Sequence, residues 1–166
     1  MRRGLHALPR DPDERFLEVF RVAALQAGAL AVRLQGEVAD QVKPGQASPE
    51  AAALTAADLA AQDVILHLFR AVFDDLTVDA EEATDLRERF EPPAPGRPLL
   101  VVDPIDGSLN YGRGSGDYAV MGGWLRQGRF RAAVVHFPAW GRTFWARDGH
   151  GAWRQDGDDA PVPARP

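Results

Sequence analysis

Two carboxylates stand three residues apart behind an apolar run, in the segment Leu-Leu-Val-Val-Asp-Pro-Ile-Asp-Gly-Ser-Leu-Asn at 99–110. Proline drives the preceding residue out of the helical region, so Asp103 is expected to be extended. Gly107 allows a turn or a close backbone approach. Asp103 and Asp106, with a backbone carbonyl and the hydroxyl of Ser108, therefore converge at a strand end. Such an all-oxygen set suits Mg2+. Amides at the start of a following helix would face the same point and bind an anion.

Taken alone, this string is equally compatible with an ordinary turn, because aspartate, proline, glycine and serine all favour turns. The glycine-rich stretch at 112–116 lacks the spacing of a dinucleotide-binding motif. The chain also contains no Gly-Lys-Ser/Thr phosphate-binding loop. Choosing between a turn and a metal site therefore requires other parts of the chain.

Length and composition indicate one globular domain. The chain has 166 residues, so we expect a single domain over 1–166. Its net charge of −5 argues against nucleic acid and anionic membranes as partners, because proteins that bind them are normally basic. The absence of cysteine excludes disulfides, thiolate zinc sites and a cysteine nucleophile. No secretory signal or membrane-spanning segment is evident, so a cytoplasmic location is expected.

The first half of the chain has the apolar spacing of two helices. Asp11 and Pro12, followed by two acidic residues, form a helix start, and apolar residues then recur at i, i+3 and i+4 to about Leu34. A second helix is predicted to begin near Thr55, where Thr55 and Asp58 resemble a capping box, and to end by 74–75.

The second half has the pattern of strands and tight turns. We predict strands at 76–79, 99–102, 118–125, 130–137 and 142–147. Helices followed by a meander of strands predict an α+β fold with two long helices packed on an antiparallel β-sheet. The polar, proline-rich tail at 156–166 is expected to be disordered.

Three further segments join 101–110 in a resemblance to one family. They are Val-Asp-Ala-Glu-Glu at 78–82, Leu-Thr-Ala-Ala-Asp at 54–58 and Gly-His-Gly-Ala-Trp at 149–153. With Val-Val-Asp-Pro-Ile-Asp-Gly-Ser-Leu-Asn at 101–110, they resemble, in order, the motifs of the inositol monophosphatase family of magnesium-dependent, lithium-sensitive phosphatases. Ala80 stands where the family has glycine. The resemblance implies the N-terminal domain of that family's layered sugar phosphatase fold, which is in keeping with the α+β class.

The resemblance also implies a role for each matching residue. Glu81 and Asp103 would bind one Mg2+ with the carbonyl of Ile105. Asp103 and Asp106 would bind a second Mg2+.

The remaining matching residues would act on water and phosphate. Ser108 would hydrogen-bond the attacking water, and Asp58 would orient the hydroxyl of Ser108. The amides of Gly107 and Ser108 would hold the phosphate. The expected catalytic residues are thus Asp58, Glu81 and Ser108.

The resemblance implies hydrolysis of a small phosphate ester, such as an inositol phosphate, a sugar bisphosphate, a nucleotide 3′-phosphate or histidinol phosphate. In the family, a second domain beyond the position of Trp153 completes the second metal site and selects the substrate. We therefore interpret this chain as the N-terminal domain. The alternative is a non-catalytic metal- and phosphate-binding domain that needs a missing C-terminal half or a second copy. A homodimer is left open because the sheet face covered by the second domain would be apolar.

Overall fold

A computed structural model describes residues 8–39 and 49–165, and the side chains of 8–35 and 56–165. Helix α1 spans Pro12–Ala39, and the carboxylate of Asp11 accepts the amide of Asp13 at 2.8 Å, so the predicted helix start is confirmed. Helix α2 spans Pro49–Val72. The predicted start near Thr55 is wrong, because α2 begins at Pro49 and proline suits the first turn of a helix. Neither α1 nor α2 nor any other described helix is long and apolar enough to cross a membrane.

The described strands form one sheet in the order β1 to β7. Its strands are β1 (Thr77–Ala80), β2 (Leu99–Asp106), β3 (Ala119–Arg126), β4 (Arg129–Phe137), β5 (Arg142–Arg147), β6 (Gly151–Asp156) and β7 (Val162–Pro163). The α+β class is confirmed, but β1 and β2 are parallel and all other pairs are antiparallel. The sheet is therefore mixed. The long connection 81–98 returns the chain to the same end of the sheet, as a parallel pair requires.

The last two strands were not predicted from the sequence. In β6, Ala152 and Trp153 pair with Ala146 and Trp145 of β5. The tail expected to be disordered forms β7 instead, where Val162 pairs with Arg154. Strand β7 lies at the sheet edge and β6 lies between it and β5. Neither strand contains a buried residue, so both lack the alternation of apolar residues that marks a half-buried strand.

The main core lies between the two long helices and one face of the sheet. Phe16 stacks on Trp124 of β3 with ring centroids 5.7 Å apart, and Phe69 of α2 packs edge-on to Phe20 at 5.9 Å. A Cβ on Gly122 would overlap the ring of Phe20. Glycine at 122 therefore lets α1 lie close against β3.

A second, smaller core supports the end of β2. It comprises Ala31, Ala57, Ile105, Tyr111 and Tyr118. The two tyrosine rings meet edge to face with centroids 4.9 Å apart. This cluster joins α1, α2 and β2 directly beneath the segment that carries Asp103 and Asp106.

Candidate active site

The chain leaves the sheet at Gly107 and turns at once into a short helix, α3 (Ser108–Gly112). Gly107 has φ +95°, and a Cβ there would lie 2.9 Å from the carbonyl oxygen of Asp117. The amides of Asn110 and Tyr111 both donate to the Gly107 carbonyl, at 2.9 and 3.0 Å. Only glycine combines this left-handed backbone with the available space. The predicted turn after Asp106 is therefore a turn into a helix.

Hydrogen bonds hold helix α3 against α1 and against the residues just before β3. The hydroxyl of Tyr111 donates to the Ala31 carbonyl at 2.8 Å, and the carboxamide of Gln35 donates to the Tyr111 carbonyl, also at 2.8 Å. Asn110 donates from its side chain to the Asp117 carbonyl at 2.9 Å. These bonds fix α3 to α1 and to the start of β3, so the backbone around Ser108 is held in one position.

Glu81, which directly follows β1, lies close enough to Asp103 on β2 to perturb its carboxyl group, because β1 and β2 run parallel. Burial first, and then the negative charges of Glu81 and Asp106, raise the pKa of Asp103 to about 6. Its Oδ1 atom is buried and has no hydrogen-bond partner among the described residues. A buried carboxylate oxygen without a donor is unfavourable, and a cation would relieve it.

Asp58 approaches the same group of acids from α2. Its side chain is only 7% exposed. Burial and the charges of Glu82, Glu81 and Asp103 raise its pKa to about 7. The acids at this end of the sheet therefore repel one another, which is the electrostatic condition that a bound divalent cation offsets.

The predicted ligands come together only in part. Within the described residues, no three acidic or histidine side chains already stand where they could jointly hold a metal ion. Asp106 is exposed at the end of β2 and acts on Asp103 through its charge. The predicted hydrogen bond between Asp58 and Ser108 is not formed in the part of the chain that the structure describes. An all-carboxylate donor set with an unpartnered Asp103 oxygen nevertheless fits Mg2+.

A model of the inositol monophosphatase family matches residues 13–166 of this chain. The chain belongs to this family. It is 33% identical over 100 residues to the fructose-1,6-bisphosphatase/inositol-1-monophosphatase of Thermotoga maritima, a match that covers 60% of this chain and 36% of that protein. It is 34% identical over 113 residues to the histidinol-phosphatase of Streptomyces coelicolor, with 65% and 40% covered.

The fold of this inositol monophosphatase family member matches that of a longer solved protein. Against Mycobacterium tuberculosis SuhB the TM-score is 0.69 at 22% identity, over 90% of this chain and 50% of that one. The curated matches cover less than half of each relative's length. Both curated relatives are named as phosphatases, and their names give different substrates.

Sequence reasoning missed two residues beside this inositol monophosphatase-type site. Glu82 is the strongest charged neighbour of Asp58. Gln62 lies one turn after Asp58 on α2, and its side chain is fully buried. A polar residue at i+4 from Asp58, on the buried face of a helix, is the signal that could have found it.

Proposed function

We propose that this chain is a Mg2+-dependent phosphomonoesterase that hydrolyses a small phosphate ester of the inositol monophosphate type by attack of water. Membership of a phosphatase family supports this proposal. The observation that carries it is the buried, unpartnered Oδ1 of Asp103, surrounded by other carboxylates. Such a group of mutually repelling acids stabilises no part of the fold, and it has the donor chemistry of a magnesium site.

In this proposal the end of β2 holds the metal. Glu81 and Asp103 bind one Mg2+ together with the Ile105 carbonyl, and Asp103 and Asp106 bind another. Bound Mg2+ supplies Lewis-acid activation of water and offsets the charge of the phosphate. The carboxylates contribute by remaining ionised and by holding fixed positions at the end of a rigid sheet.

The start of α3 binds the substrate phosphate. The amides of Gly107 and Ser108 lie in a turn that is fixed by glycine, and they donate to the phosphate oxygens. The hydroxyl of Ser108 orients the attacking water. Asp58 orients that hydroxyl. Because Asp58 and Ser108 do not hydrogen-bond in the described structure, this role requires them to approach one another when metal and substrate bind.

The second candidate function is a metal- and phosphate-binding domain that does not turn over substrate. Two observations favour it. The chain covers about half of the solved relative and less than half of the curated relative. The described acids also do not form a complete metal site. In this case a further domain or a second copy of the chain completes the site.

The deciding experiment measures phosphate release from a panel of esters with and without Mg2+. The panel contains inositol 1-phosphate, fructose 1,6-bisphosphate, a nucleotide 3′-phosphate and histidinol phosphate. Asp103→Asn is the test variant, and Asp74→Asn, an exposed acid beyond the end of α2, is the matched control. Mg2+-dependent release that is abolished only in Asp103→Asn supports the phosphatase. Thermal stabilisation by Mg2+ without release supports the binding domain.

The same assay tests the remaining parts of the proposal. Specific activity that rises with protein concentration indicates completion of the site by a homodimer. Inhibition by Li+ is expected if the metal site is of the family type. Tight binding of nucleic acid or lipid vesicles would contradict a small phosphate ester as the partner, because the chain carries a net charge of −5.

A further inference from the structure

A fully buried glutamine of α2 holds the turn that carries Glu81. The carboxamide nitrogen of Gln62 donates to the Glu82 carbonyl at 2.7 Å, and its oxygen accepts the Glu82 amide at 2.9 Å. Gln62 is 0% exposed. Its carboxamide therefore pairs with one residue through both its donor and its acceptor, much as a neighbouring strand would. Both bonds form away from water, where an unmade bond is unfavourable.

The bond to the Glu82 amide bears directly on Glu81. That N–H belongs to the planar peptide unit attached to the Cα of Glu81. Holding this peptide unit sets the backbone rotation that follows Glu81, and with it the direction of the Glu81 side chain. The side chain so directed lies beside the Asp103 carboxyl group. Gln62 thus acts on the predicted metal ligand Glu81 through the backbone of Glu82, and not by direct contact between the two side chains.

A second bond from α2 to the same turn lies further from Glu81. The Thr84 hydroxyl donates to the carboxylate of Asp63 at 2.7 Å and accepts the Arg87 amide at 3.1 Å. This bond anchors the connection after β1, but it contacts no peptide unit next to Glu81. Thr84 therefore provides a control that weakens the same connection without releasing Glu81.

We propose that Gln62 is a positioning residue, whose paired hydrogen bonds to Glu82 hold the Glu81 carboxylate in the direction in which it binds Mg2+. This rests on the proposed function, since it takes Glu81 as a metal ligand. The carboxamide is required at this position. A carboxylate could not donate to the Glu82 carbonyl, and it would add a negative charge close to Asp58 and Glu81.

The test is a Mg2+ titration of the thermal unfolding of the full chain. Gln62→Met keeps the size of the side chain and removes both bonds. Removing a group that holds a metal ligand in place typically lowers metal affinity about 10- to 100-fold. The Mg2+ concentration at the midpoint of the titration should therefore rise about 10-fold or more. Thr84→Val should lower the melting temperature and leave that midpoint unchanged. Should Gln62→Met fail to fold, Gln62→Leu, which also removes both bonds and adds no charge, carries the same expectation for the midpoint.

Two further measurements separate positioning from a merely structural role. In a Glu81→Gln background, Gln62→Met should have little further effect on the Mg2+ midpoint, because residues that act through one another are not additive. In EDTA, the Glu82 amide should exchange faster in Gln62→Met than in the parent chain. Full additivity, an unchanged midpoint or unchanged exchange would each overturn the positioning role alone. A parent chain that does not respond to Mg2+ at all would overturn the proposed function and the ligand role of Glu81 with it.

Discussion

Replacing Asp58 by asparagine should stabilise the metal-free chain. Asp58 is buried among other acids, and its pKa is raised from 3.8 to about 7. A shift of about 3 pH units, at about 1.4 kcal/mol each, corresponds to an unfavourable free energy of about 4 kcal/mol for the ionised carboxylate. The amide in Asp58→Asn carries no charge. Because it must still find hydrogen-bond partners in a buried position, we expect a net gain of about 1–3 kcal/mol.

The sign of this effect depends on pH. The folded-state pKa of Asp58 lies above its unfolded value, so ionisation costs nothing below pH 3.8, where the carboxyl is protonated in both states. Between pH 3.8 and about 7 the unfolded chain ionises first, and the unfavourable free energy grows. It is complete above pH 7. The advantage of Asp58→Asn should therefore be largest at pH 8 and disappear near pH 4.

Urea denaturation in EDTA at several pH values between 4 and 8 measures this advantage directly. Asp74→Asn serves as the control, because Asp74 is exposed and substitutions at such positions usually change stability by less than about 0.5 kcal/mol. An Asp58→Asn variant that is less stable than the parent chain at pH 8, or a difference that does not vary with pH, would refute this reasoning. The side chain would then be hydrogen-bonded in a way that favours its charge.

Substitutions at three other positions test the scaffold. Gly107→Ala should destabilise the chain by about 1–3 kcal/mol in urea denaturation, since the alanine would have to adopt a left-handed backbone with its Cβ 2.9 Å from the Asp117 carbonyl oxygen. An unchanged denaturation midpoint would contradict the φ of +95°. Asp13→Ala should cost about 1–3 kcal/mol by leaving the indole N–H of Trp124, now at 3.1 Å, without its acceptor; Asp13→Asn should recover part of that loss. His136 is buried with its pKa held below 6.5, so the stability that its neutral ring contributes is lost as pH falls below 6.5, and His136→Gln should be more stable relative to the parent chain at pH 5.5 than at pH 7.5 in thermal melts.

The main elements could be predicted from the sequence because their side chains follow a strong period. The start of α1 was predicted from Asp11 and Pro12, which act through local backbone chemistry. Interior strand β4 alternates between buried and partly buried residues along most of its length, whereas β3 is a mostly apolar run that buries adjacent residues in pairs, and both signals are local. Local signals fail where pairing alone decides. The short strands β6 and β7 contain no buried residue, and they form because β6 pairs with β5 and β7 in turn pairs with β6.

The parallel pairing of β1 with β2 shows the same limit. Nothing in the residues 77–80 distinguishes a parallel from an antiparallel neighbour, because both directions bury Val78 equally. The direction is set by the connection 81–98, which packs its own residues, among them Leu86, against the core. Parallel pairing also brings Glu81 at the end of β1 towards Asp103 on β2, and this contact could not be derived from the spacing of either residue.

The site residues were predicted from motifs, but their energetic context was not. Motif spacing identifies Asp103 and Asp106 as a pair and says nothing about burial. The proximity of Glu81 to Asp103 and the unpartnered Oδ1 arise only when two strands and α2 meet. Gln62 was missed for a related reason. A glutamine on a helix is normally expected at the surface. The 81–84 turn lies over α2, and this position makes Gln62 a buried hydrogen-bonding group.

The position of the acids relative to the two cores explains how the fold tolerates them. Aromatic packing around Phe16, Phe20 and Trp124 lies towards the start of α1, away from Asp103. The small cluster of Tyr111 and Tyr118 is distinct from that core, and Tyr111 holds α3 to α1 by its hydrogen bond to the Ala31 carbonyl. Repulsion among the acids is therefore borne by the end of the sheet, while the large core maintains the chain's stability. It follows that removing an acid should stabilise the metal-free chain without altering its fold, whereas a substitution in the tyrosine cluster should displace the site before it unfolds the domain.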